Sequence, residues 1–117
     1  MNQRASKSRY DSIAKRYPAV IDAVEAVGLA VRQSGPLDET TVQLVQLAGA
    51  AAVQSEGAVH SHARRALQSG ATPGQVRHAL LLLTSTIGFP RMVAALTWAE
   101  DVLAQKPRRQ ARRRTSA

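Results

Sequence analysis

The sequence predicts an all-α protein, a single-domain helical bundle that assembles into an oligomer through helix packing. Three observations carry this reading. No run alternates with period two, and no hairpin dipeptide lies between strand-like residues, so no strand is expected. Apolar residues recur at helical spacing in segments separated by Gly and Pro. The 117-residue chain is 44% hydrophobic but only 3% aromatic, so its core is built from Ala, Val and Leu, small side chains that let helices approach closely. A chain of this length allows one domain and little room for a second.

Residues 1–17 read as an N-terminal arm or short helix, because Tyr10, Ile13 and Ala14 give only a weak apolar rhythm. Pro18 suits a first helical turn, where its missing N–H is not needed. Val20, Ile21, Val24, Val27, Leu29, Ala30 and Val31 continue that helix up to Ser34-Gly35-Pro36. Asp38 can cap the next helix, which runs from Thr41 to Gln54 and is apolar on most of its faces. Such a helix is expected to be buried all round, which in a short chain calls for a partner subunit. A third helix runs from about Glu56 to Ser69 and stops at Gly70, a residue able to take the left-handed conformation that ends helices. Thr72, Pro73 and Gln75 form a capping-box start for a fourth, which carries Leu80–Leu83 and ends near Thr84–Ile87. Gly88-Phe89-Pro90 opens the last helix, with Met92, Val93, Leu96, Trp98, Ala99, Val102 and Leu103 facing inward or toward a partner. The helical domain is thus expected over residues 18–105.

Charge is unevenly placed. The net +8 includes six Lys and Arg within residues 106–117, which leaves 10 basic and 8 acidic residues before them. The tail has too little apolar surface to fold alone and reads as a basic disordered tail. It could bind nucleic acid or another polyanion, although no aromatic residue sits among its arginines to stack on bases. The absence of cysteine excludes disulfides, thiolate nucleophiles, Cys-ligated metal and dithiol redox cycling. No apolar run is long enough to span a membrane, and Met1–Lys7 lacks a secretory apolar core, so a cytoplasmic, membrane-free protein is expected.

On a helical wheel, Ala58, His62, Ser55, Ala66, Val59, Ala63 and Leu67 share one arc, with His62 near its middle. His60, Ser61, Arg64, Arg65 and Gln68 occupy the other side. An imidazole in a small apolar stripe needs a hydrogen-bond partner. His62 is therefore either a core histidine, bonded to a backbone carbonyl or to Ser85, or the wall of a pocket. Burial in either place would depress its pKa.

The motifs in order resemble the carboxymuconolactone decarboxylase-like family, which includes the alkylhydroperoxidase D-type proteins. The matching pieces are Gly35-Pro36-Leu37-Asp38 with Thr41, Leu44–Ala48, His62, Ala66–Pro73, Leu80–Leu83, Ile87–Pro90 and Ala94-Ala95-Leu96. They span roughly residues 18 to 104. The resemblance implies an all-α bundle assembled as a homotrimer or homohexamer, with the site between helices near a subunit boundary. In redox members a Cys-x-x-Cys pair precedes the histidine; those positions are Ser55 and Ala58 here, and the usual relay glutamate corresponds to Gln43. Peroxidase chemistry is excluded because no thiolate exists to attack or resolve.

The decarboxylase branch needs neither cysteine nor cofactor. Loss of carbon dioxide from a carboxylated lactone leaves enolate-like charge that a general acid must protonate, and His62 has a suitable pKa. On this reading His62 is catalytic, Gln43, Ser55 and Ser85 orient substrate or water, and Glu56 and His60 flank a subunit-interface site. Arg64, Arg65 and Arg91 could pair with a substrate carboxylate. Glu56 and His60 otherwise read as a surface ion pair, and His78 as solvent-facing. No metal site is expected, since His60 and His62 diverge by about 200° on a helix and Glu56 with His60 gives only two ligands. Two readings stay open: a cofactor-free decarboxylase or proton-transfer enzyme acting on a carboxylated lactone or keto acid, and a non-catalytic oligomeric ligand-binding or scaffold protein.

Overall fold

Seven helices, and no strand, make up the described residues. They are α1 (Gln3–Arg16), α2 (Pro18–Arg32), α3 (Glu39–Ala52), α4 (Glu56–Gln68), α5 (Pro73–Leu81), α6 (Thr84–Ile87) and α7 (Phe89–Leu103). The computed structural model describes residues 3–104, with side chains from residue 8 onward. The basic tail at 106–117 lies outside the described residues. No helix among them is long and apolar enough to cross a membrane.

Local chemistry explains most boundaries. The Asp38 carboxylate accepts from the Thr41 N–H at 2.8 Å and so caps α3; these bonds hold its pKa below the usual value. Thr72 and Gln75 close both halves of a capping box at 3.0 Å each, with Pro73 in the first turn of α5. Two helices end in the same way. Past α4, Gly70 sits at φ +110° while the Ala71 N–H donates to the Ala66 carbonyl and the Gly70 N–H to the Leu67 carbonyl. Past α3, the left-handed residue is Gln54 at φ 56°, with Ser55 bonded to Ala50 and Gln54 to Ala51. Both are six-to-one helix closures of the kind glycine favours.

The core lies where α3, α4, α5 and α7 meet. Leu47, Val59, Ala63, Ala66, Val76, Leu80, Ala95, Ala99 and Leu103 are fully buried there. The alanines allow α4 to pack against both α3 and α7. At Leu47, truncation to Ala would cost about 2–5 kcal/mol, in transfer energy plus the cavity left behind.

The N-terminal segment, read as an arm or a short helix, is a 14-residue helix. It turns back on α2 and also touches α4. The stretch expected as one helix through Thr84–Ile87 is split into α5 and α6; the Thr84 hydroxyl takes the Leu81 carbonyl at 2.8 Å, a local bond that competes with helix continuation. Its leucine run is split between core and solvent: Leu80 is fully buried, whereas Leu81 and Leu82 are exposed. Nor is α3 buried on every side: Val45 faces outward, because α4, α5 and α7 cover only part of its circumference. In this chain α2 contributes no buried residue at all.

Candidate functional site

The turn at 53–55 folds α4 back along α3, which brings the first turns of α3 beside the later turns of α4. Thr40 fastens this end by donating its hydroxyl to the Ser69 carbonyl at 2.7 Å. Between them, Gln43 is 1% exposed and its amide is bonded at both ends. The Gln43 Nε2 donates to Glu39 Oε1 at 3.1 Å, and its Oε1 lies 3.0 Å from His62 Nδ1. A carboxylate only accepts, so Glu39 fixes which end of the amide faces it. The carbonyl then faces His62, Nδ1 must carry the proton, and Nε2 keeps the lone pair of the neutral ring.

His62 is half-buried. Its pKa is held below the ordinary histidine value, by burial first and then by the positive charges of Arg65 and Arg32, in the direction expected from the sequence. An open cavity of about 450 Å³ lies beside the pair, walled by Arg32, Glu39, Gln43, Arg65, Gln68 and Ser69. Gln43 belongs to both, so it links the cavity wall to the imidazole. Two guanidinium groups and one carboxylate in such a wall suit an anionic ligand that also offers a hydrogen-bond donor.

The other residues singled out from sequence fall elsewhere. Ser55 caps α4, accepting from the Ala58 N–H at 3.4 Å. Ser85 is exposed on α6, and the partner of His62 is Gln43 instead. His60 overturns the expectation of a polar face. It is 1% exposed, and its Nε2 lies 2.9 Å from Asp101 Oδ2 of α7. The wheel centred on His62 puts His60 on the polar side, whereas α4 packs against α7 as well as α3, and His60 faces α7. Glu56, half-buried in the first turn of α4, joins His60 and Asp101 rather than forming a surface pair. Of the three arginines proposed as carboxylate partners, Arg65 lines the cavity.

Arg32, Glu39, Gln68, Ser69 and Asp101 were missed in the sequence. Glu39 was within reach, because it stands four residues before Gln43 on the same helix and so on the same face. Arg32 and Asp101 reach their places only through packing between helices distant in sequence.

Among the described residues the chain is a small all-α protein in which the histidine of α4 faces an amide of α3. Residues 18–101 match the profile of the Carboxymuconolactone decarboxylase family; the chain belongs to that family. Its fold is similar to that of a carboxymuconolactone decarboxylase family protein from Legionella pneumophila, with a TM-score of 0.72 and 21% identity, covering 86% of this chain and 93% of that one. It is also 32% identical over 60 residues to an uncharacterized protein of Haemophilus influenzae. That match takes in 51% of this chain and 53% of the relative, so the chain spans about half of that relative's length.

Proposed function

We propose that this chain acts on a small carboxylated lactone or keto acid, moving a proton or releasing carbon dioxide, with His62 as the acid–base group and no dithiol redox step. The observation that carries the reading is the chain Glu39–Gln43–His62 beside a cavity walled by Arg32 and Arg65. The two arginines recognise the substrate carboxylate by charge-assisted hydrogen bonds. His62 takes a proton from water at Nε2. As the bond to the departing carboxylate breaks, its electron pair enters the neighbouring carbonyl, and His62 returns the proton to the resulting enolate carbon. Gln43 keeps Nδ1 as donor throughout, so the ring works through Nε2 alone. Ser55 serves this site by capping the helix that carries His62. The position filled by an acid in related redox proteins holds Gln43 here, and Glu39 supplies a carboxylate one turn away.

The test is turnover over a panel of lactones and keto acids, wild type against His62→Gln, with assembly checked by mass. Loss of at least about 100-fold in kcat, the usual share of a general acid–base group, is expected in a correctly assembled variant. Unchanged turnover removes His62 from the chemistry. Arg65→Gln should chiefly raise KM for carboxylated members of the panel and leave esters unaffected.

We also propose that the chain is a homo-oligomer, a trimer or hexamer, built through α2. The exposed valines of that helix support it. They also lend weight to the second reading, a non-catalytic oligomeric ligand-binding or scaffold member, which the same panel tests: no turnover by wild type, together with tight carboxylate binding, favours it.

A further inference from the structure

On the side of α4 that faces α7, Glu56, His60 and Asp101 each offer a ligand atom, and these atoms lie within 4.8 Å of one another. The trio is separate from the His62 pair, since residues 60 and 62 point to different sides of α4. Glu56 and His60 stand one helical turn apart on α4, and Asp101 enters from α7. The His60 ring is 1% exposed. Its Nε2 is held by Asp101 at 2.9 Å, while its buried Nδ1 has no hydrogen-bond partner among the described residues. An ion bound through Nε2 takes the place of the proton shared with Asp101, and one imidazole flanked by two carboxylates is a donor set that divalent transition ions take.

We propose that Glu56, His60 and Asp101 bind a divalent first-row transition ion of the zinc or manganese type. Metal–ligand bonds of about 2.0–2.2 Å put neighbouring donor atoms some 3–4 Å apart, so small side-chain rotations close the trio onto an ion. Two carboxylates balance the charge of a divalent cation. One imidazole selects transition ions over calcium, which takes six to eight oxygen ligands, and over magnesium, which favours an all-oxygen octahedron. The sequence expectation of no metal site counted only Glu56 and His60; the fold supplies the third ligand. Bound there, the ion ties α4 to α7 across the packing contact that also carries the His62 helix. This inference is independent of the acid–base role of His62.

The experiment uses the full, untagged chain freed of metal with a chelator. Zn²⁺ binding is followed by calorimetry and thermal unfolding, and Co²⁺ binding by visible absorption and by paramagnetic effects on the histidine ring signals. One equivalent is expected to bind, with Tm rising by about 5 °C at saturating metal. The ring signals of His60 should shift or broaden more strongly than those of His62 and His78. Asp101→Asn and Glu56→Gln, which keep side-chain shape, should each weaken binding at least about tenfold, and His78→Gln should leave it unchanged. Three results overturn the proposal: no saturable binding up to about 1 mM metal, equal affinity in both carboxylate variants, or an equal thermal shift with Ca²⁺ or Mg²⁺. The ring-signal measurement on wild type decides the matter even where a variant fails to fold.

Discussion

Gln43 holds the His62 ring in one tautomer, and burial beside Arg65 and Arg32 holds it in its neutral form. The folded pKa therefore lies below the unfolded value of about 6.5, and the unfolded chain binds this proton more readily. The stability contributed by the group is fully present above about pH 6.5 and is lost as pH falls through the folded pKa. Urea midpoints should drop between pH 7.5 and pH 5, and the drop should shrink in His62→Gln. An identical drop in the variant would assign the pH dependence to other groups. In catalysis the same shift places the limb of kcat/KM set by His62 below about pH 6.5, with activity falling as the ring that must donate its proton loses it. Gln43→Glu tests the pairing directly. A carboxylate 3.0 Å from Nδ1 favours the imidazolium, so the His62 pKa should climb by about one unit or more. Its new neighbour Glu39 opposes this by making one of the two carboxylates hold a proton. An NMR titration that leaves His62 below the ordinary histidine range would refute the contact.

At the level of elements, what the sequence makes legible is what is chemically local. Asp38, Thr72 with Pro73 and Gln75, and Gly70 mark helix ends because caps act on N–H and C=O groups only a few residues away. The packing of α4 is not local. Its wheel arc around His62 holds Val59, Ala63 and Ala66, which are buried, but not the fourth buried residue, His60, which meets a partner 41 residues distant at Asp101. The turn between α3 and α4 is hidden for another reason: its left-handed position is Gln54, not glycine. The side chain offsets that backbone strain by donating Nε2 to the Ala51 carbonyl at 2.7 Å and to the Arg91 carbonyl at 3.1 Å, tying the turn to α7. Gln54→Ala keeps the unfavourable φ and loses both bonds, and should cost about 1–3 kcal/mol. Gln54→Gly loses the bonds but relieves the φ, so urea melts should rank wild type above Gly and Gly above Ala. Equal stability of the two variants would mean that the backbone conformation costs nothing. The exposed Arg77–Glu100 bridge between α5 and α7, at 2.8 Å and 3.0 Å, is a useful contrast: Arg77→Ala should change stability by less than about 1 kcal/mol, because both partners stay in solvent.

Across the whole molecule, burial is lopsided. The α3–α4–α5–α7 cluster is closed, while α2 keeps Val20, Val24, Val27 and Val31 exposed by 57%, 58%, 62% and 56%. These four recur at spacings of four, three and four, the rhythm of a seam that meets another helix. Tyr17 and Ile13 extend the apolar surface onto α1, where Tyr10 donates its hydroxyl to Glu25 at 2.5 Å and so fixes the α1–α2 hairpin. Residues 106–117 contain no Val, Leu, Ile or aromatic side chain and offer nothing to fill such a seam, whereas a second copy of α2 offers the matching stripe. Burying a valine contributes roughly 1.5 kcal/mol or more, so four per subunit, repeated on the partner, exceed the lower range of the entropy lost on association. Light scattering should give a wild-type mass that is a multiple of 12.6 kDa. Val24→Asp places a charge in the middle of the stripe at a position open to water in the single chain. It should therefore retain helicity while the mass falls toward the monomer at micromolar concentration. A wild-type monomer, or an unchanged mass in the variant, would move the subunit contact away from α2, and with it the idea that the cavity beside Gln43, whose Arg32 wall is the last turn of that helix, stands at a subunit boundary.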